Sequence, residues 1–299
     1  KSTTAQTEQA RKGPEARPAR SLTGFADALA CMDRTFIDYG VRDVSVLLED
    51  ILDQTKKVNA GTKDMLISAV SDMTRRSRAI KLIAFGQDSG NLISFLQQAE
   101  RKSVYQVVPQ FDIKGSITQW DENLIQNQRD FGLGFDSDNF GLNIGSARDV
   151  AASILGLDLS MLSTADLAFL NGVTARNSII VFKEGKGFDS DARIAKFGIN
   201  FNLSFSKSEG QSQALRTLVE LAAIELFGKL TKTPYWACLG AKPADPAVQA
   251  QISEWFDAMY GHPEELVAYF QTQLRTRGYY TGPLDGKVNP DIVAAVSAY

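Results

Sequence analysis

A catalytic site needs a base, a nucleophile or a cluster of metal ligands, and this sequence offers little of each. It has one histidine, His262, and two cysteines, Cys31 and Cys238. A zinc site would have to take most of its ligands from carboxylates. A Ser-His-Asp or Cys-His pair would have to use His262, and Pro263 beside it marks a loop. His262 therefore reads as a turn residue, and no catalytic site, metal or cofactor is assigned. The net charge is −3 and no run of basic residues stands out, so nothing points to nucleic acid as a partner.

The informative spacing lies elsewhere, in residues 197–205. Phe197, Ile199, Phe201, Leu203 and Phe205 alternate with Gly198, Asn200, Asn202 and Ser204. Side chains alternate between the faces of a strand, so this stretch has one apolar and one polar face. An antiparallel soluble sheet accommodates that pattern. So does a membrane barrel, whose tilted strands need roughly 9–11 residues to cross the bilayer and whose lumen is polar.

The elements around it follow from composition and period. Residues 1–20 are rich in Lys, Arg, Gln, Thr and Pro, and read as a flexible tail. Ser21 is a plausible N-cap for a helix carrying Phe25, Leu29, Met32 and Phe36 and ending before Gly40. Val44–Leu48 is a short strand, 50–61 a loop, Thr62–Arg76 a helix, Lys81–Phe85 a strand and Leu92–Arg101 a helix. Gln106–Trp120 is a long period-two strand. In 129–145, Phe131, Leu133 and Phe135, then Phe140, Leu142 and Ile144, flank the turn Asp136–Asn139. Leu155–Leu162 and Leu167–Val173 pair around Ser163–Asp166. Ser178–Phe188 leads to a polar tip near Asp189–Arg193, from which the 197–205 strand returns. Its alternation is poor, because Ile179, Ile180, Val181 and Phe182 are all apolar. Gln213–Leu230 is a strong helix, and Pro246–Tyr260 and Pro263–Arg275 are two more. No run of 18 apolar residues predicts a membrane helix. No signal peptide is visible, and Lys1 opens a polar segment, as in a mature or trimmed chain. Asp27–Cys31 has a faint lipoprotein-like look but lacks a preceding apolar region. A lipid-bearing cysteine would have to precede Lys1.

The order of elements from Val44 to Leu230 resembles the CsgG family of curli-type outer-membrane secretion channels. The matching residues are 112–117 (Asp-Ile-Lys-Gly-Ser-Ile), 157–164 (Leu-Asp-Leu-Ser-Met-Leu-Ser-Thr) and 175–179 (Ala-Arg-Asn-Ser-Ile), ahead of the helix ending Leu226-Phe227-Gly228. The resemblance implies an α+β fold in which a periplasmic α/β domain (21–242) gives two β-hairpins, near 129–145 and 178–206, to a transmembrane β-barrel shared by a ring. Four strands from each of roughly nine copies would give about 36, the largest count known for such barrels. Four strands alone would leave open edges in lipid, so the hairpins require a homo-oligomer. The implied lipid face is Phe131, Leu133, Phe135, Phe140, Leu142, Ile144, Phe197, Ile199, Phe201, Leu203 and Phe205.

In that family the loop after the first strand forms a constriction inside the ring. The matching residues here include Asp53, Gln54, Lys56, Lys57 and Asn59. The family's aromatic residues are missing from this loop, and the loop is shorter. A periplasmic location would put Cys31 and Cys238 in an oxidising compartment, where they are either a disulfide or two buried thiols.

Residues 243–299 form a separate helical segment. From Glu265 to Tyr299 it resembles a small peptidoglycan-binding module, through Leu274, Arg277-Gly278-Tyr279-Tyr280, Gly282-Pro283-Leu284-Asp285-Gly286, Pro290 and Ala294-Ala295-Val296. Asn289 and Ile292 stand where the pattern has Gly and Thr. Tyr280, Asp285 and Gly286 are the residues the resemblance marks for wall binding.

The sequence thus leads to an oligomeric outer-membrane channel of a diderm bacterium, with its soluble part in the periplasm. It would export a protein substrate such as a curli-like fibre or adhesin subunit. Its expected partners are outer-membrane lipid, further copies of itself, the secreted protein and peptidoglycan. Two alternatives stand beside it: a structural ring tethered to peptidoglycan, and a soluble periplasmic α+β binding protein.

Overall fold

The computed structural model describes residues 19–22, 24–58, 61–86, 89–100, 108–121, 150–184, 189–206 and 210–299. Its strands are β1 (Ala19–Leu22), β2 (Val44–Leu48), β3 (Leu52–Asp53), β4 (Ile80–Ala84), β5 (Phe111–Asp121), β6 (Val150–Ser163), β7 (Phe169–Glu184), β8 (Asp189–Lys196) and β9 (Ile199–Ser206). The helices are α1 (Ala26–Asp38), α2 (Thr62–Met73), α3 (Gly90–Glu100), α4 (Gly210–Thr231), α5 (Tyr235–Cys238), α6 (Pro246–Tyr260), α7 (Pro263–Thr276) and α8 (Pro290–Ala298). Among the described residues no helix is long and apolar enough to cross a membrane.

The strands make one mixed α+β sheet in the order β1-β9-β8-β7-β6-β5-β2-β4, with β3 on β5. β2 lies parallel to both β4 and β5. Parallel neighbours need crossovers, and α2 and α3 supply them. From β5 to β9 every neighbour is antiparallel. The β8–β9 turn is Phe197-Gly198, with φ 51° and 72°. Two successive left-handed residues form the tight turn that matches strand twist.

One face of this sheet carries Leu155, Leu157 and Leu159 of β6, Ile179 of β7, Ala192 and Ile194 of β8, and Ile199, Phe201 and Leu203 of β9, all buried in a single core. α4 lies over β6 and β7. Its Leu215, Leu218, Val219, Ala223, Ile224 and Phe227 are all fully buried, so its apolar residues run all round it. That is the pattern of a helix enclosed on every side, here between the sheet and α1, α2 and α5. α1 reaches β9 through Phe25, whose ring meets Phe201 edge-on with centroids 5.3 Å apart.

Several sequence expectations change here. Ile199, Phe201 and Leu203 do not form a lipid face in this protomer, because the chain's own helices cover them. Phe197 leaves the strand for the turn and packs against the Tyr235 ring at 5.6 Å. The Phe205 side chain lies outside the described set. The stretch 178–206 holds three strands, the end of β7, β8 and β9, because Asp189–Lys196 forms strand β8 instead of a polar tip. Ala19 and Arg20 belong to β1, paired in parallel with β9, and not to a tail. Ser21 is in the same strand, so it caps no helix. The first free amide at the start of α1, Phe25 N, donates instead to the Glu220 carboxylate of α4 at 2.9 Å. Phe131, Leu133, Phe135, Phe140, Leu142 and Ile144 lie outside the described residues.

The poor alternation of 179–182 also finds its reason. Ile179 and Val181 face the helical core, while Ile180 and Phe182 join Ala152 and Ile154 in a second apolar cluster on the opposite face. The register Ala152↔Phe182 and Ile154↔Ile180 puts them side by side. β7 is apolar on both faces at this end, so no period of two can show.

Candidate functional site

Strand direction brings the candidate elements to one end of the sheet. β5 ends at Asp121, next to Ile154 near the start of β6; Val150 pairs with Glu184 at the end of β7; and Asp189, opening β8, pairs with Ser206. The strand ends that flank 122–149 and 185–188 therefore all lie at this end. The second apolar cluster sits at the same end. The loop after β2 also runs toward it, because β2 is parallel to β5 and β3 pairs with Ser116 and Ile117 of β5.

That loop is folded around one carboxylate. Asp53 Oδ1 accepts from the Thr55 amide at 2.8 Å and the Thr55 hydroxyl at 2.6 Å, and Oδ2 accepts from the Val58 amide at 2.7 Å. The Thr55 hydroxyl in turn accepts from the Lys57 amide at 3.3 Å. Desolvation pushes the Asp53 carboxyl up, but the bonds from Thr55, Val58 and Lys57 outweigh it and hold it below the usual aspartate range. Val58 is buried as an anchor. Gln54, Lys56 and Lys57 are exposed, with Lys56 in a left-handed conformation at φ 56°. Asp53 is thus the organiser of the loop rather than one of its outward-facing charges. Asn59 lies outside the described residues.

Below the loop, Lys114 of β5 joins Glu49 and Asp112, the latter at 2.9 Å. Burial pushes the Asp112 carboxyl above the ordinary range despite Lys114. Desolvation alone would lower Lys114, but the two carboxylates keep its ammonium above the usual lysine value. Lys63 of α2 closes the other side, reaching Asp50 at 3.1 Å and the Phe85 carbonyl at 3.0 Å.

A second polar cluster is buried between sheet and helix. Glu225 of α4 accepts from Lys196 at 2.7 Å, Lys229 at 2.8 Å and Asn177 Nδ2 at 3.0 Å. Lys196 also donates to Asn177 Oδ1 at 3.0 Å, and Lys229 to the Thr174 carbonyl at 2.7 Å. Burial pulls the Lys196 ammonium below the usual lysine value; Glu225 opposes this and Lys229 adds to it. This cluster escapes sequence reading, apart from the i,i+4 spacing of Glu225 and Lys229.

Cys31 of α1 and Cys238 of α5 are disulfide-bonded across 207 residues of chain, with Cα atoms 5.5 Å apart.

In the C-terminal segment, α7 and α8 pack on a small core of Leu274, Tyr280, Ile292 and Ala295. The residues singled out for wall binding build this module. The Tyr280 hydroxyl donates to the Pro283 carbonyl at 2.8 Å and accepts from Asn289 Nδ2 at 3.1 Å, and the side chain is only 2% exposed. Asp285 accepts from the buried Gln271 amide at 3.1 Å and from the Lys287 backbone at 3.0 Å. Gly286 donates to Gln271 Oε1 at 2.9 Å and sits at φ 71°, where an added Cβ would lie 2.6 Å from the Glu264 carbonyl oxygen. Asn289, the departure from the pattern, caps α8 by accepting from Ile292 N at 2.9 Å.

No family model matches the chain, and no curated protein does. Two solved structures show weak likeness. A Xanthomonas campestris protein of the DUF330 family superimposes with TM-score 0.31 at 7% identity, over 64% of this chain and 87% of that one. A Helicobacter pylori homologue of the neuraminyllactose-binding hemagglutinin gives TM-score 0.27 at 12% identity, over 64% and 86%. Superpositions this loose carry no argument about fold or function.

Proposed function

We propose that the chain is one protomer of a ring-shaped outer-membrane channel that exports a protein substrate. The observation that carries this reading is convergence. The strand ends that flank 122–149 and 185–188 lie together at one end of the sheet, where the β2–α2 loop also lies and where a second apolar cluster occupies the face away from the helices. A protomer that lends hairpins to a shared barrel needs them side by side at one end. The stretch 122–149 is long enough for two strands of roughly 9–11 residues and a turn. The second hairpin narrows to the β7–β8 turn and its flanks, since β9 is committed to the core. A ring would bring Lys56 and Lys57 of every copy around one axis, and rings of lysine favour anions.

The burial of the β9 face favours a second reading, a soluble periplasmic α+β protein. Particle images of detergent-solubilised protein, followed by planar-bilayer recording, separate the two. The channel reading expects rings and an anion-selective reversal potential at low salt, which Lys56→Gln/Lys57→Gln removes without disturbing the rings. Dispersed single particles that need no detergent would support the soluble protein. Rings that carry no current would point to a structural ring.

A further inference from the structure

The opposite end of the sheet holds a cleft of about 440 Å³ between the end of α1 and the turn after α2. Arg42, Arg76 and Arg78 line it, with Asp43 as its single acid. Among the described residues none of the three guanidinium groups has a hydrogen-bond or ion-pair partner, and Asp43 pairs with none of them. The walls are held rigidly. The buried Asp33 carboxylate accepts from the Arg76 amide at 3.0 Å and the Ser77 amide at 2.8 Å, which fixes the turn that presents the arginines. Arg78 N closes that turn on the Thr74 carbonyl at 2.8 Å, and the Val44 amide donates to the Ala79 carbonyl at 3.1 Å, tying the two walls together.

Two residues of the lining sit in the left-handed region, Asp43 at φ 56° and Arg78 at φ 50°. Glycine takes that conformation without steric cost, and arginine does not. All three arginines are exposed to solvent, and Arg78 holds its place in the cleft at a local backbone cost, the kind of strain that clusters at binding sites. Guanidinium forks match the oxygens of a tetrahedral oxyanion, and three of them outnumber Asp43 and the Asp33 carboxylate beneath the turn, which leaves the cleft net positive.

We infer that Arg42, Arg76 and Arg78 form a binding site for a dianionic phosphate group. The group comes either from a small soluble molecule or from a phosphomonoester lipid headgroup. The cleft lies at the far end of the sheet from Asp121, Val150, Glu184 and Asp189, and the inference does not rest on the channel reading.

The test is calorimetric titration of the full-length chain with inorganic phosphate at fixed ionic strength, alongside co-sedimentation with phosphatidic acid vesicles. The site predicts saturable phosphate binding, weakened about tenfold in Arg42→Gln and in Arg76→Gln, since a hydrogen bond to a charged group is worth about that factor. Arg78→Gly separates function from fold. It should abolish binding while the melting temperature in phosphate-free buffer stays level or rises, because glycine suits the left-handed backbone. Vesicle binding that is lost in the same variants, without uptake of free phosphate, assigns the site to the lipid source. No binding in either arm, or binding unchanged in all three variants, overturns the site.

Discussion

β9 and the end of β7 exchange the roles that their sequences suggest. β9 has the cleanest alternation in the chain, yet its apolar face is buried beneath α4 and the entry to α1, with Phe201 fully buried against Phe25. The 179–182 stretch of β7 alternates poorly, yet there, beside 152–155 of β6, the sheet carries apolar clusters on both faces. Alternation reports that one face leaves water; it does not report what covers that face. A lipid tail and a leucine on a neighbouring helix demand the same residues from a strand. Loss of alternation carries more information, because it marks a strand covered twice.

The sharpest way to break this comparison is a charge on each strand. Phe201→Asp should prevent folding altogether. Removing a buried Phe costs about 3–5 kcal/mol and an unpaired buried carboxylate costs more, against a total stability of about 5–15 kcal/mol. Ile180→Asp, also buried but in a much smaller cluster, should cost less, keeping a cooperative melt at a lowered midpoint while reducing recovery in the membrane fraction. Equal folding defects in the two variants would erase the distinction between the strands.

Next in size is the polar cluster that clamps β7 and β8 to α4. Glu225→Gln removes the one negative charge that the largely buried Lys196 and Lys229 share and should cost at most about 3–5 kcal/mol in urea unfolding. Lys196→Met leaves Glu225 paired to Lys229 and removes a cation that burial already disfavours, so its cost should be much smaller. Equal losses would mean that the carboxylate is not the hub.

The disulfide holds the layer that covers β9. Denaturing, non-reducing thiol labelling should find no free thiol per chain, and Cys31→Ala/Cys238→Ala should lower stability by about 2–5 kcal/mol. Two labelled thiols would remove the bridge from the account.

The smallest effect belongs to the β2–α2 loop. The Asp53 carboxyl is held below its ordinary value in the folded chain, so its contribution is present above the usual aspartate range and drains away as pH falls through the lowered value. Protection of the Thr55 and Val58 amides, taken relative to the intrinsic exchange rate at each pH, should fall at acid pH, and in Asp53→Ala at any pH. Unchanged protection in the alanine variant would show that the loop is held by something else.

Much of the architecture was legible in the sequence, for reasons visible in particular residues. The spacing of Phe25, Leu29, Met32 and Phe36 gives α1, and Pro246 and Pro263 mark the first turns of α6 and α7. What escaped depends on distant partners. Glu220 takes the capping role expected of Ser21, and only the fold brings it to Phe25. Phe197-Gly198 is a turn because β8 and β9 pair, and a bulky Phe gives no local signal for φ 51°. Tyr280, Asp285 and Gly286 follow a recognisable pattern, but the pattern encodes the module's own hydrogen bonds. The arginine cleft needs Arg42 to meet Arg76 and Arg78 across a β-strand crossover, and no linear run of charge announces it.

The apolar face of β9 is covered by helices of its own chain. A double-mutant cycle between Phe25 and Phe201 tests it most directly, using Phe25→Leu, Phe201→Leu and the pair in urea unfolding. Rings 5.3 Å apart in an edge-on arrangement should couple by about 0.5–1.5 kcal/mol beyond their separate burial. A coupling indistinguishable from zero would mean that the two rings do not touch, and β9 would be free to face lipid instead.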